Sequence, residues 1–429
     1  MRIRVEAAAV WPGGEQGWWT PGQVTWSANR IESVGPLTGE AADVDRVIRV
    51  EDGLVLPGLL NGHNHAAMSL MRGIADDSPL MEWLTQHIFP LEAHLTSEDV
   101  YVGTLLSCAE MIRGGTVGFA DMYFFVDAVA RAVETSGLRG WIARGLVEAD
   151  DPGGEKLAEA VEFAHRWRGR AEGRVVGMLG PHAPYTCGPR YLERVAESAK
   201  SADLGIHIHL AESWQEVQDS QQRFGLTPVE LAARAGILQS RVVVAHGVHL
   251  QDQDRKLLAA AQGGVVHCPV SNAKLGNGTM DVVRARREGV TVGLGTDGPA
   301  STNTLDMFLE MKAMAWGQKL LHRDPASFQA VEALRAATEG NAQILGGVSG
   351  RLEPGAPADL IVVGTRGTHL TPVHDWSSNA VYAATAADVR YTICNGVVLM
   401  EEGRLLTIDE EAVRREAAAR ARALIDRSR

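Results

Sequence analysis

Two hydrophobic patterns follow one another along the chain, and each predicts a different kind of element. Residues 2–10, 23–34 and 46–50 alternate apolar and polar side chains between glycine and proline turns, which is typical of short β-strands. Alternation of strands with helices over about 290 further residues predicts a parallel sheet, and that length suits eight βα units closed into a barrel. The helical periods that carry this prediction lie, for example, at 97–113, 191–202, 228–235 and 304–321.

Short strands return near the carboxyl terminus. They are predicted at 358–363, 389–394 and 397–401, with a tight Asn395-Gly396 turn between the last two, and a helix follows at 410–425. The two terminal segments are therefore expected to pair with each other. The prediction is an α/β fold in which a (β/α)8 TIM barrel at 57–352 stands beside a small β-sandwich domain made from 1–56 and 353–429, the latter with the terminal helix.

Composition narrows the choice of partners. The chain has 429 residues, 45% of them hydrophobic, and a net charge of -12, so it offers no electrostatic footprint for nucleic acid or an anionic membrane. The amino terminus is charged and alternating, without the apolar core of a signal peptide, and no stretch is apolar enough to span a bilayer. We expect a cytoplasmic protein without nucleic-acid or membrane partners.

Polar side chains with metal-binding chemistry stand at the ends of the predicted barrel strands. His63 and His65 are two residues apart, so they point to the same face of the strand predicted at 54–60. Each of the residues His209, His246 and Asp297 also ends a predicted strand. Because the carboxyl ends of barrel strands meet at one face, this ordered series favours a metal site over unrelated polar residues.

One glycine motif offers a competing interpretation. Gly293–Gly298 satisfies the GxGxxG pattern of a dinucleotide-binding turn. That fingerprint also requires a second strand ending in an acidic residue about twenty residues later, where this sequence has a long helix through Trp316. The metal-site interpretation is therefore preferred.

Four motifs carry a resemblance to a known family. They are Pro57-Gly58-Leu59-Leu60-Asn61-Gly62-His63-Asn64-His65, His209-Leu210-Ala211-Glu212, Ala245-His246-Gly247 and Gly295-Thr296-Asp297-Gly298. With these motifs the sequence resembles the amidohydrolase superfamily and, within it, the methylthioadenosine/S-adenosylhomocysteine deaminases. The likeness extends from the amino-terminal strands to the segment 354–360, which is nearly the whole chain.

This resemblance implies a metal and its ligands. His63, His65, His209 and Asp297 match the positions that bind one divalent ion, most often zinc, with iron or manganese as alternatives. No lysine at a strand end is placed to form the bridging carbamate of two-metal members, so a mononuclear site is predicted.

The resemblance also implies a hydrolytic deamination. A metal lowers the pKa of its water toward about 7, which yields a hydroxide nucleophile at neutral pH. By analogy, Asp297 accepts the proton of that water, His246 holds and polarises the hydroxide, and Glu212 carries a proton to the ring nitrogen of an aminopurine. Attack at C6 then expels ammonia.

Further matches imply how a nucleoside is bound. Glu92 matches the glutamate that bonds the ribose hydroxyls, Arg144 the arginine for a distal carboxylate, and His182 a contact to the purine. Lys156 stands about where a second carboxylate-binding arginine is expected, and a lysine cannot form the bidentate fork. This departure weakens S-adenosylhomocysteine as a substrate more than methylthioadenosine.

Several alternatives stay open at this point. A related enzyme acting on guanine or a triazine would use the same metal site, and a metal-binding protein without turnover is a third alternative. His207, His249 and His267 match no ligand motif and are interpreted as structural histidines. The segment 269–278 resembles a family motif whose residue roles are open. Related enzymes are often oligomeric, so a homo-oligomer is also considered.

Overall fold

The computed structural model describes residues 1–39 and 43–429, and its strands fall into two separate sheets. Within these residues the strands are β1 (Arg2–Val10), β2 (Gly22–Ser27), β3 (Arg30–Pro36), β4 (Arg46–Pro57), β5 (Leu59–Asn64), β6 (Thr116–Tyr123), β7 (Arg139–Leu146), β8 (Val175–Pro181), β9 (Gly205–Leu210), β10 (Val242–His246), β11 (Gly263–His267), β12 (Val292–Leu294), β13 (Leu360–Gly364), β14 (Val389–Cys394), β15 (Val397–Glu401) and β16 (Arg404–Leu405).

The eight strands from β5 to β12 form a parallel barrel in chain order. Every residue of β10, Val-Val-Val-Ala-His, is buried, as expected where helices cover the outside and side chains fill the inside. The first and last strands meet through Asp297, whose backbone N–H donates to the His63 carbonyl at 3.0 Å. The Asn61 side chain adds hydrogen bonds to the backbone and hydroxyl of Thr296 at 3.0 and 2.7 Å. The closing seam of the barrel therefore runs through two predicted metal ligands.

Amphipathic helices surround the barrel. The helix Ser97–Arg113 is capped by Thr96, which forms a capping box with Asp99, and the first and last residues of the helix coincide with the prediction. No helix in the described ranges is long and apolar enough to cross a membrane. The other longer helices are Val126–Ser136, Glu155–Trp167, Pro189–Ala202, Trp214–Phe224, Pro228–Arg234, Asp252–Ala260, Met307–His322 and Glu410–Ser428; shorter ones include Leu80–Glu82, Trp83–Ile88, Phe89–Glu92, Pro269–Lys274, Val282–Arg287, Pro299–Thr302, Ala330–Arg335, Ala336–Gly340 and Asn341–Leu345.

The terminal segments pair into one mixed sheet in the order β16-β15-β14-β13-β4-β1-β2-β3. Its centre is the antiparallel contact of β4 with β13, which joins the amino-terminal strands to the carboxyl-terminal ones. The predicted barrel with a β-domain built from both termini is confirmed. The boundaries at 56/57 and 352/353 stay predictions.

Two predicted strands are each divided in the structure. The strand predicted at 54–60 splits at Gly58, where the chain leaves the terminal sheet and enters the barrel. A Cβ at Gly58 would lie 2.4 Å from the Val117 side chain, so only glycine permits this passage. The strand predicted at 23–34 is broken by a turn at Ala28, whose φ is +50°. A hydrophobic period alone does not reveal either break.

Candidate active site

Four predicted ligands converge at the carboxyl ends of the barrel strands. His63 lies near the end of β5 with His65 just beyond that strand, His209 lies near the end of β9, and Asp297 follows β12. Oδ1 of Asp297 lies 3.3 Å from Nε2 of both His63 and His65, and Nε2 of His209 lies 3.3 Å from Nε2 of His65. The barrel therefore brings together four side chains that are up to 234 residues apart in the sequence (297 minus 63).

These donor atoms suit a divalent ion. Ligands at about 2.0–2.1 Å from a tetrahedral zinc are about 3.4 Å from one another, close to the spacings seen between these side chains. Nε2 of His63 is buried and has no hydrogen-bond partner among the residues that the structure describes, which is costly unless an ion takes its lone pair. His246 is also near, since its ring lies within 4.8 Å of the His63 and His209 ligand atoms. The donor set of imidazoles and one carboxylate fits zinc.

Hydrogen bonds on the other ring nitrogen orient three of the imidazoles. Nδ1 of His65 lies 2.6 Å from the Met122 carbonyl, and Nδ1 of His209 lies 2.7 Å from the His182 carbonyl. Nδ1 of His246 lies 3.0 Å from Oδ1 of Asn272. Because a carbonyl oxygen only accepts, each Nδ1 carries the proton and each Nε2 presents its lone pair to the centre.

Burial keeps the ligand imidazoles neutral. Desolvation lowers the pKa of His63 to about 3, and it also lowers the pKa of His65 and His209. A neutral imidazole is the form that binds a metal. These three side chains are therefore neutral at neutral pH, which is the charge state that metal binding requires.

Asp297 is fixed by several donors. The hydroxyls of Ser271 and Ser301 both donate to its Oδ2 at 2.7 Å, and the Gly298 N–H donates to Oδ1 at 2.8 Å. Its backbone has a φ of +64°, and that of His246 has a φ of +71°, both in the left-handed region that non-glycine residues rarely adopt. Backbone strain of this kind is concentrated at functional sites, where the surrounding structure maintains it.

Glu212 and His246 form the second polar group of the site. Nε2 of His246 lies 3.7 Å from Oε2 of Glu212, and Nδ2 of Asn277 donates to Oε1 of Glu212 at 3.0 Å. Desolvation raises the pKa of Glu212. Burial acts to lower the pKa of His246, but the charges of Glu212 and Asp297 raise it overall. A carboxyl group with a raised pKa beside a metal site is suited to accept and return a proton.

One segment after β11, which includes the short helix Pro269–Lys274, supports three of these residues. Ser271 bonds Asp297, Asn272 bonds His246, and Asn277 bonds Glu212. Sequence reasoning identified the segment 269–278 as a family-like motif without assigning roles to its residues. Its position directly after a barrel strand is the signal that could have indicated these contacts.

Glu216 is a buried residue of the site that sequence reasoning missed. Its carboxylate accepts from the backbone N–H groups of Ala211 and Glu212 at 3.1 and 2.8 Å, which fixes the backbone beneath the Glu212 side chain. Desolvation raises the pKa of Glu216 to about 7. Ser213 and Glu216 have the S-x-x-E spacing of a helix start, which is the available sequence signal.

A cavity of about 440 Å³ opens from the metal ligands toward the surface, a volume suited to a small molecule. Glu92 and His182 both line it, as does Glu212. Desolvation raises the pKa of Glu92 to about 7 and lowers that of His182 to about 4. The apolar part of the lining consists mainly of Met68, Leu80, Trp83, Leu84, Phe89, Leu95, Met122, Phe124, Phe125, Val147 and Leu275.

Arg144 is not among the side chains that line this cavity. Its guanidinium forms an ion pair with Glu159 at 3.0 Å, although the neighbouring Gly145 does line the cavity. Lys156 is also absent from the lining, and its backbone N–H donates to Asp151 at 2.9 Å. Within the described residues, no lysine or arginine lines the cavity. The predicted carboxylate-binding role of Arg144 stays a prediction.

The three histidines interpreted as structural have other polar contacts. His249 contacts the Asn277 carbonyl at 2.9 Å through Nε2, and Nδ1 of His267 lies 3.2 Å from the Asn272 amide. His207 is fully buried, and its Nε2 lies 2.7 Å from Nδ1 of His63. His207 therefore contacts a predicted metal ligand, a role that sequence reasoning did not assign.

Comparison of the sequence with known proteins identifies the family to which the chain belongs. Residues 54–399 match the model of the amidohydrolase family. The chain is 44% identical over 418 residues to a 5-methylthioadenosine/S-adenosylhomocysteine deaminase of Pelotomaculum thermopropionicum, covering 96% of each chain. It is 44% identical over 408 residues to a 5'-deoxyadenosine deaminase of Methanosarcina mazei, covering 95% of this chain and 94% of that protein.

A solved structure gives the same result. The crystal structure of an adenosine deaminase from Xanthomonas campestris with bound zinc superimposes with a TM-score of 0.92 at 34% identity, covering 99% of this chain and 98% of that one. The family match spans more than half of the described chain, and the relatives align along almost its whole length. This protein belongs to the amidohydrolase family and is a hydrolase.

Proposed function

We propose that this hydrolase deaminates the adenine ring of 5'-substituted adenosines and releases the inosine analogue and ammonia. Relatives that are 44% identical over nearly the whole chain are named as deaminases of methylthioadenosine, S-adenosylhomocysteine and 5'-deoxyadenosine, which supports the substrate class. The observation that carries the proposal is the buried carboxyl group of Glu212, 3.7 Å from His246 and beside the metal donors in an aromatic-lined cavity.

In this proposal one zinc ion is held by His63, His65, His209 and Asp297. Support comes from their spacing, from their neutral imidazoles and from Nε2 of His63, which has no hydrogen-bond partner in the described part of the chain. When bound, zinc supplies a Lewis acid that lowers the pKa of water to about 7.

The protein's own side chains move the protons. Glu212 protonates the purine ring nitrogen next to C6, which makes C6 electrophilic so that water adds there. Asn277 holds Oε1 of Glu212 at 3.0 Å, which leaves Oε2 for this transfer. His246 faces Glu212 through Nε2, and Asp297 accepts a proton from the attacking water. Asp297 passes the proton taken from water to the exocyclic amine, ammonia leaves from C6, and the C6 hydroxyl gives its proton to Glu212 as the C6 carbonyl forms.

The rest of the cavity selects the nucleoside. In our proposal the Glu92 carboxylate accepts from the ribose hydroxyls, and His182 contacts the base. Apolar side chains such as Phe124 and Val147 then face the 5'-substituent. Because Arg144 is paired with Glu159, we expect small uncharged 5'-groups, as in methylthioadenosine and 5'-deoxyadenosine, to be preferred over the amino-acid tail of S-adenosylhomocysteine.

We further propose that the partner is a small-molecule nucleoside and that the protein acts in the cytoplasm. The proposed catalytic barrel comprises residues 57–352, and the proposed β-domain comprises residues 1–56 and 353–429.

A substrate panel tests the function. Purified zinc-loaded protein is incubated with methylthioadenosine, 5'-deoxyadenosine, S-adenosylhomocysteine, adenosine, guanine and an aminotriazine, and ammonia and product are both quantified. We expect deamination of the adenosines, fastest for the two with uncharged 5'-groups. Turnover of guanine or the triazine with no reaction on any adenosine would contradict the proposal.

A further inference from the structure

His63 differs from the other imidazoles of the site in what its second nitrogen contacts. Nδ1 of His65, His209 and His246 each faces an oxygen that only accepts. Nδ1 of His63 instead faces Nε2 of His207 at 2.7 Å, with ring centroids 4.9 Å apart and planes at 76°. An imidazole nitrogen can either donate or accept, so this contact does not by itself decide which nitrogen of His63 carries the proton.

Two arrangements of protons satisfy this contact. Both rings are fully buried, and a buried charge without a partner is costly, so each ring is taken as neutral with one N–H. If His207 donates from Nε2, the proton of His63 must be on its own Nε2, where it points toward Asp297 and blocks the ligand lone pair. If His63 donates from Nδ1, its Nε2 is free and the proton of His207 is on Nδ1. The pair carries two protons in both cases.

Only the second arrangement permits His63 to bind an ion through Nε2. Nδ1 of His207 has no hydrogen-bond partner within the described ranges, so neither arrangement is favoured from that side. In the first arrangement the N–H of His63 lies beside the Asp297 carboxylate, whose Oδ1 is 3.3 Å from Nε2 and whose negative charge attracts the proton. Asp297 therefore stabilises the non-ligating arrangement in the metal-free protein.

We propose that His207 is a positioning residue for the metal: it accepts a hydrogen bond from Nδ1 of His63 and thereby holds His63 in the tautomer that ligates through Nε2. Loading of the ion shifts the pair from one arrangement to the other without gain or loss of protons. The inference rests on the metal site of the proposed function and is independent of the substrate.

Substitutions at position 207 test this role through zinc affinity. The His207→Leu variant fills the space without an acceptor, whereas the oxygen of His207→Gln can accept from His63. We expect the leucine variant to bind zinc about ten- to hundred-fold more weakly in a chelator competition, and the glutamine variant to remain within about threefold of the wild type. His322→Gln, at a histidine paired with Asp281, is the control and should bind zinc normally.

Two outcomes of this zinc-binding experiment would contradict the proposed role of His207. Wild-type zinc affinity in the leucine variant, or an equal loss of affinity in both variants, would overturn the proposal. Because zinc binding is measured without substrate, failure to deaminate adenosines would not alter this order of affinities.

A spectroscopic measurement does not depend on the folding of any variant. Nitrogen chemical shifts of ring-labelled histidines in the wild-type protein report which nitrogen of each ring carries the proton. We expect the proton of His207 on Nδ1 in the zinc-loaded protein and on Nε2 in the metal-free protein. A proton on Nε2 of His207 in the zinc-loaded protein would overturn the proposal.

Discussion

The two ends of the active-site cavity are built in different ways. At the metal end, side chains stand at strand ends and have fixed polar partners, as Asp297 has in Ser271 and Ser301. At the outer end the wall is apolar, and Phe125 and Phe89 are 45% and 39% exposed at its mouth. We infer that strand ends with fixed polar partners hold the geometry needed for bond breaking, while the proposed choice of 5'-substituent depends on segments with partly exposed aromatic side chains.

Removal of the metal should have the largest effect on activity. It should stop the reaction at the metal end of the cavity while leaving the apolar outer wall unchanged. Chelator treatment is expected to abolish ammonia release completely, and added zinc should restore it. Equilibrium binding of methylthioadenosine, measured calorimetrically on the metal-free protein, should weaken far less because the outer wall is intact. Full turnover by protein shown to contain no metal would contradict the account.

Loss of the Asn277 side chain should lower the catalytic rate less than removal of the metal does. The Asn277→Ala variant frees Oε1 of Glu212. We expect kcat to fall about tenfold, less than loss of a general acid itself would cause, with KM nearly unchanged. Steady-state kinetics on methylthioadenosine provide the measurement, with Gln215→Ala, an exposed side chain on the adjacent helix, as the matched control. A change confined to KM would place Asn277 in substrate binding instead.

Substitution of Glu92, which in our proposal binds the ribose between the metal end and the outer end of the cavity, should weaken substrate binding. The Glu92→Gln variant is expected to raise KM for adenosines about tenfold, since an ionised acceptor for the ribose diol is lost. Burial raises the pKa of Glu92 to about 7, so the carboxylate is increasingly protonated as the pH falls below 7. The wild-type KM should therefore rise between pH 8 and about pH 6, whereas the KM of the variant should not. Parallel pH dependences of KM in both proteins would contradict this role.

The smallest expected effect belongs to Glu159 at the outer end. Its side chain is 62% exposed and pairs with Arg144. An exposed ion pair contributes about 0.2–1 kcal/mol, so releasing Arg144 in Glu159→Gln should raise kcat/KM for S-adenosylhomocysteine only about two- to five-fold. The value for methylthioadenosine should not change. An equal change for both substrates would show that Arg144 does not read the 5'-substituent.

The sequence predicted the inner end of the cavity better than its supporting contacts. His63 and His65 are close in the chain, and a period of two places them on one face, so local pattern suffices. The bond between Ser271 and Asp297 joins the ends of two different strands, and no local pattern encodes which side chains meet there. The same limit explains why the contact of His207 with His63, between β9 and β5, was not anticipated.

The outer end was less predictable for a related reason. Arg144 matches a family motif, but the direction of its guanidinium depends on whether Glu159, on the following helix, is available as a partner. The fold shows the same contrast: the helix Ser97–Arg113 was predicted to the residue because its capping signal is local. The division of a predicted strand at Gly58 depends on Val117, which lies on another strand.

Turnover of methylthioadenosine by Glu212→Gln at full zinc occupancy is the decisive measurement for the proposed deamination. We expect kcat to fall about 10²- to 10⁴-fold, because the proton carrier to the purine ring is lost while the metal ligands are untouched. Zinc content and binding of the substrate should remain near those of the wild type. A variant that retains wild-type kcat with the same zinc content would contradict the assignment of Glu212 and, with it, the proposed mechanism of deamination.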